Sequence, residues 1–184
     1  MNESACNVSI PYSQDGLMKT IEGIWYPTEN ERKAAWDMYV EIVTRIPVAY
    51  VKPEMSLLRI CLSSLYKLFD VTREILRKYG PTIARPRAEG QLSFGYLSIK
   101  VLDLILRPFM MKWHPLLAEY ERTRKESDSP QDHEKKWARY EEFNKAMSEV
   151  GEAMMHYVNL LALASDMQEN LLIDRNKKFD EINP

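Results

Sequence analysis

Residues 133–168 read HEKKWARYEEFNKAMSEVGEAMMHYVNLLALASDMQ, and their apolar side chains recur at helical spacing. Tyr140, Met147, Met154 and Leu161 form one row, with Phe143, Val150, Tyr157 and Ala164 beside it. Both rows repeat every seven residues, the period of a seam between packed helices. The pattern predicts one long helix from about His133 to Gln168. A second ribbon runs through Leu58, Leu62, Leu65, Phe69, Thr72, Leu76 and Tyr79, alternating spacings of four and three. It predicts a helix from near Pro53 that stops at Gly80-Pro81, where glycine accepts a left-handed cap and proline forbids continuation. At about 1.5 Å per residue such a helix is roughly 40 Å long. That length belongs in a bundle.

Outward from these ribbons, Thr28-Glu29-Asn30-Glu31 has capping-box spacing and starts a helix through Ala35, Met38, Tyr39, Ile42 and Ile46. Pro47 ends it. Leu92 to Met111 is mostly apolar but carries Lys100, Asp103 and Arg107. Those charges are costly in a bilayer, so the stretch predicts a buried central helix and no membrane span. Pro108 and Pro115 predict a kink at Pro108, with helix resuming after His114 through Arg124. Residues 126–132 are a polar connector. Residues 1–27, rich in Asn, Ser, Pro and Gly, show no long periodicity and predict an irregular lead-in. The expected architecture is therefore all-α: a single up-and-down bundle of about four long helices. Residues 28–173 form the bundle domain and residues 174–184 a charged tail.

The chain has 184 residues, 45% hydrophobic and 28% charged, which fits one soluble domain with a core of useful size. A formal net charge of −2 supplies no general attraction to nucleic acid or anionic membrane. Two cysteines, Cys6 and Cys61, predict neither a disulfide nor a zinc site, and free thiols suit a cytoplasmic location. Met1 to Asp15 lacks a basic start followed by an apolar run, so no signal peptide is expected. No cofactor or metal motif is present in the sequence, and none is expected to be bound.

The segment Leu106-Arg107-Pro108-Phe109-Met110-Met111-Lys112-Trp113-His114-Pro115-Leu116-Leu117 is the most unusual in the chain. Asp103 stands four residues before Arg107, the favourable order for an ion pair on a helix. A structural reading groups Asp103, Arg107, Trp113 and His114 as a polar cluster around a kinked helix. Arg107 or His114 then satisfies the carbonyl freed by Pro108, and Trp113 fills the gap. A catalytic reading uses Arg107 and His114 alone. Arg73, Arg77 and Arg107 offer a third reading, a site for a small phosphorylated ligand. His133 reads as a solvated side chain near a helix start. His156 fits either core or surface. Glu152 and His156 lack the spacing of a di-metal helix pair.

The spacing of Arg107 and His114 resembles the HEPN ribonuclease family, in which an arginine and a histidine from two protomers meet at a dimer cleft. The resemblance implies metal-independent RNA cleavage, the pair stabilising charge at the phosphate and moving protons. The position after the arginine, polar in many HEPN enzymes, is Pro108 here. The run Tyr26 to Trp36, Ser63 to Phe69, Thr72 to Pro81, and Leu106 to Phe109 with Trp113-His114-Pro115 also resemble small bacterial helical proteins from conflict and defence gene neighbourhoods. That resemblance covers residues 26–120 and implies a fold without a reaction.

The leading expectation is a non-catalytic interaction or regulatory module of a bacterial multi-protein antiviral system, with a protein partner or a second copy as its ligand. The alternatives are the dimeric ribonuclease, the one case with nucleic acid as partner, and the phosphorylated-ligand sensor.

Overall fold

The structure, a computed structural model, describes residues 5–14, 16–45, 57–85 and 88–166. It corrects the all-α expectation at the N-terminus. Strand β1 (Cys6–Gln14) and strand β2 (Leu17–Trp25) pair antiparallel, from Cys6↔Trp25 to Gln14↔Leu17. A short strand β3 (Gln91–Leu92) joins the far end of β2 in parallel, giving a three-stranded mixed sheet in the order β1-β2-β3. The expected irregular lead-in is this hairpin. Its signal is a period of two: Cys6, Val8, Ile10 and Tyr12 are buried, while Asn7 and Ser9 face solvent. The outward positions hold small polar residues and Pro11, which read as loop formers when the buried partners are ignored. Proline is tolerated in a sheet where its missing N–H faces an open edge, and β1 is an edge strand.

Helix α1 (Glu29–Arg45) begins at the foreseen capping box. The Thr28 amide donates to Glu31 Oε2 at 2.8 Å, and the Glu31 amide donates back to Thr28 Oγ1 at 3.4 Å. Glu31 does more than cap. It is completely buried, and its Oε1 accepts from the Trp25 indole at 3.3 Å and the Phe94 amide at 3.0 Å. One carboxylate thus ties the end of β2, the start of α1 and the start of α3 (Phe94–Val101).

Helix α2 (Leu58–Tyr79) ends at Gly80, whose φ of 69° and amide bond to the Leu76 carbonyl match the expected stop. A 3-10 turn, Gly80–Ala84, follows. The expected stop at Pro47 and start near Pro53 lie outside the described residues. The N-terminus of α2 has no side-chain cap of its own. Glu134 supplies one from elsewhere in the chain, accepting from the Leu58 amide at 3.0 Å. Burial pushes the Glu134 carboxyl above its ordinary range, partly offset by the α2 amides.

The helix is not interrupted at Pro108, where a kink was expected. Helix α3, a π-helical segment (Leu102–Leu106) and helix α4 (Arg107–Glu121) run on without a break, with right-handed helical backbone at each junction. The Arg107 amide bonds to the Leu102 carbonyl, five residues back. Pro108 directly follows the wide π turn inside this continuous helix, an interior position where proline ordinarily removes a hydrogen bond and crowds the carbonyl of the preceding turn. The π segment absorbs one residue. Phe94, Ser98, Val101 and Ile105 are buried at ordinary helical spacing, which projects to positions 108, 112 and 115. Those positions, Pro108, Lys112 and Pro115, are exposed, and Phe109, Trp113 and Leu117 are buried instead. The inward face has moved along by one residue.

The long final helix is also corrected. Helix α5 (Pro130–Lys135) and helix α6 (Tyr140–Ala164) are separate. Tight turns join them: the Trp137 amide bonds Glu134 O and the Tyr140 amide bonds Trp137 O, each at 3.0 Å or less. The break lets His133, Glu134 and Trp137 all point inward. His133 is therefore buried, stacked on Tyr120 at 4.3 Å, and not solvated as its charged neighbours suggested. The two apolar rows of α6 do face the core. Phe143, Val150, Tyr157 and Ala164 are buried, as are Met154 and Leu161. The inner face of β1 packs on α6, so sheet and helices share one core.

Candidate functional site

The residues singled out in the sequence are only partly brought together. Arg107 pairs with Asp103 at 2.8 Å, and its guanidinium lies 5.4 Å from the centre of the Phe69 ring on α2. Both charged groups are on the surface, so the pair is screened and weakly held. His114 is exposed on the same side of α4 as Arg107, about two turns along. Trp113 points the other way, into an aromatic brace with Trp137 at 5.9 Å and Phe143 at 5.3 Å. The structure thus joins Asp103 to Arg107 but parts both from Trp113. Arg73 pairs with Asp70, which it holds below the usual carboxylate range. Arg77 is exposed in the last turn of α2.

Two hollows stand out. Neither is lined by Arg73, Arg77, Arg107 or His114.

The first is a cleft of about 370 Å³ beside the hairpin tip. The hairpin supplies Tyr12, Ser13, Gln14 and Gly16 as one wall. The continuous helix formed by α3, the π segment and α4 supplies Ile105, Pro108, Phe109, Lys112 and Trp113, and α6 supplies Ala146, Glu149 and Val150. The π segment makes this wall possible, because the one-residue shift turns Pro108 and Lys112 toward the rim while Phe109 and Trp113 form the floor. Lys112 binds Glu142 at 2.7 Å, lies 4.6 Å over the Trp113 ring, and holds the Glu142 carboxyl below its usual range. Gln14 is held by Lys19 at 2.9 Å. Beside the cleft the hairpin tip presents Leu17 and Met18, 64% and 72% exposed.

The second hollow is a groove of about 340 Å³ between α1 and α2. Val40, Val71 and Ile75 form its floor, and Asp37, Glu41, Glu74 and Lys78 its lips. Trp36 stands at one end, stacked on Tyr39 at 5.9 Å. Lys78 and the Tyr79 hydroxyl both donate to Asp37, at 2.7 and 2.8 Å. The carboxylate raises the Lys78 pKa, and burial raises that of Tyr79.

Among the described residues no group of three or more His, Cys, Asp or Glu side chains could hold a metal ion. Among them, too, no helix is long and apolar enough to cross a membrane. Cys6 and Cys61 are both buried, and burial pushes the Cys6 thiol up.

The unusual segment 106–117 does line a cleft, through Pro108, Phe109, Lys112 and Trp113 and not through the charged pair first noticed. The opposite wall escaped sequence reasoning because it belongs to the hairpin. The alternation of Val8, Ile10 and Tyr12 was the signal that could have found it. Trp36 carried no distinguishing signal, since a tryptophan on an amphipathic helix ordinarily faces the core. No known protein family, no curated protein and no solved structure matches this chain.

Proposed function

We propose that the protein is a non-catalytic interaction module that docks a protein partner at the hairpin tip. The observation that carries this reading is the pair of exposed side chains Leu17 and Met18 at the tip of a β-hairpin beside an aromatic-floored cleft. Large apolar side chains exposed at a turn cost solvation in isolation and favour association. The cleft next to them has the size to seat one large anchoring side chain, the usual arrangement at the centre of an interface. The setting we propose is a bacterial multi-protein antiviral system, and its support is the resemblance across residues 26–120.

The test is purification of the tagged chain from its native host beside a Leu17→Glu/Met18→Glu variant. A stoichiometric partner that accompanies the native chain and is lost with the variant supports the module. Its affinity should fall at least tenfold, about 1.4 kcal/mol. A solitary monomer in both preparations overturns the reading, as does a partner retained equally by both.

One observation favours the ribonuclease as a second reading. Arg107 and His114 share an exposed side of α4, which two copies could bring face to face. Cleavage of single-stranded RNA by the purified chain, abolished by His114→Ala in a protein that still melts cooperatively, is its expected signature. Intact RNA after prolonged incubation removes it.

A further inference from the structure

The α1–α2 groove shares no residue with the cleft at the hairpin tip. Its shape is that of a helix receptor. Trp36 and Val40 on α1 are one turn apart, as are Val71 and Ile75 on α2. Val71 and Ile75 are buried and lie in the floor, while Trp36 is exposed and Val40 half-buried along the α1 side, offering apolar stations one turn apart to a third helix laid in the groove. Recognition of this kind reads apolar anchors one turn apart.

Trp36 marks the groove as a place where a partner would bury an exposed indole. The other three indoles are all buried: Trp25 under the sheet, Trp113 and Trp137 in the aromatic brace. Trp36 is 46% exposed at the mouth of an apolar floor. Tryptophan in such a position is a typical energetic anchor of an interface.

Charge then selects the partner. Three carboxylates and one ammonium ring the groove. Lys78 is committed to Asp37, and Glu41 has an interaction of its own. Glu74 remains as an exposed carboxylate on the lip of α2. An acidic partner would meet it with like charge, at a cost of the kind that sets specificity.

We infer that this groove is a second docking site, and that it takes an amphipathic helix of another protein whose apolar stripe is flanked by lysine or arginine. With the hairpin tip it gives the chain two separate docking surfaces. This inference does not depend on the reading of the hairpin tip, and either site can fail while the other stands.

The probe is a synthetic amphipathic helix of leucine and lysine, with a leucine and glutamate peptide of the same pattern as control, each titrated into the full chain. Trp36 supplies the readout, because it is the exposed indole and the one open to acrylamide quenching. The basic peptide should shift the emission to shorter wavelength, saturate, and protect Trp36 from quencher, while the acidic peptide does neither. Affinity should fall at least tenfold in Glu74→Lys, and similarly in Val40→Asp, with folding of each variant checked by its melting curve. It should also weaken between low and physiological salt, since charges on the lip are screened within about 8 Å at 0.15 M. Equal binding of both peptides, undiminished binding to the two variants, or no binding at all overturns the inference. So does protection of Trp36 that grows with protein concentration alone, which would make the groove an interface between copies of this chain.

Discussion

Glu31 shows how far a motif can be read and where reading stops. The spacing of Thr28 and Glu31 identified the cap, and the reciprocal bonds are present. Nothing local indicated that the second carboxylate oxygen would reach Trp25 and Phe94, which are brought there by the sheet and by α3. Replacing Glu31 with alanine strands two buried donors as well as removing the cap. A loss of about 3 kcal/mol is expected, from the cost of unsatisfied buried groups, seen as a lower urea midpoint. A change below a few tenths would mean that water or a neighbour replaces the carboxylate without penalty. Glu134 is the second buried carboxylate, and its effect depends on pH. Its pKa is raised on folding, so the folded chain holds this proton where the unfolded chain has released it. Stability from this group is present at low pH and declines as pH rises from the ordinary glutamate value, near 4.5, through the folded value. Glu134→Gln has no such decline. Its stability relative to the native chain should climb over that range in melts from pH 4 upward, about where the group begins to ionise. A flat difference would rule out the raised carboxyl. Asp70 and Glu142, lowered by Arg73 and Lys112, act in the opposite sense but are common to both proteins and cancel.

At the scale of elements, what was legible was what repeats. The rows of α6 and the ribbon of α2 are long enough for their period to show, and both face the core. The hairpin was not legible, because nine-residue strands with Ser, Asn and Pro on the outer face present few apolar positions to count. The break before α6 was hidden by good helix formers on both sides; burial of Trp137 and Glu134 decides it, and that is a tertiary effect. The sheet itself depends on Gly23. A β-carbon there would stand 2.8 Å from Leu92 Cγ and 2.9 Å from the Gly90 carbonyl oxygen, on backbone with φ of 155°. Gly23→Ala should therefore push β3 off β2 and cost about 1–3 kcal/mol, the range for overpacking. Faster amide exchange at Ile24, whose N–H bonds Gly90 O at 2.9 Å, is the local readout. Unchanged exchange there would show that Leu92 gives way without disturbing the strand.

For the whole molecule, the hairpin and the helices cannot be taken apart at residue 28. Val8, Ile10, Tyr12 and Trp25 belong to the same buried cluster as α6, and Glu31 is bonded to residues on either side of that boundary. A chain truncated to residues 27–184 exposes the face of α6 that β1 covers. It should lose cooperative melting and bind a hydrophobic dye, the signs of lost tertiary packing. A sharp transition in the truncated chain, near that of the native one, would instead establish an autonomous helical domain. The site was legible to the same partial degree as the fold. Segment 106–117 stood out by composition, yet the side chains that line the cleft are those displaced by the π segment, and a strict helical period assigns them to the wrong side.

That displacement makes the continuous helix unequal along its length toward gain or loss of a residue. Dropping one amino acid almost anywhere between Phe94 and Glu121 would swing all that follows by about 100° around the axis, carrying lysines inward and tryptophan out. Between Leu102 and Leu106 the same deletion merely converts a wide turn into an ordinary one, and both flanks keep their orientation. A single-codon deletion scan should therefore find its tolerated window there, with Trp113 still shielded from quencher.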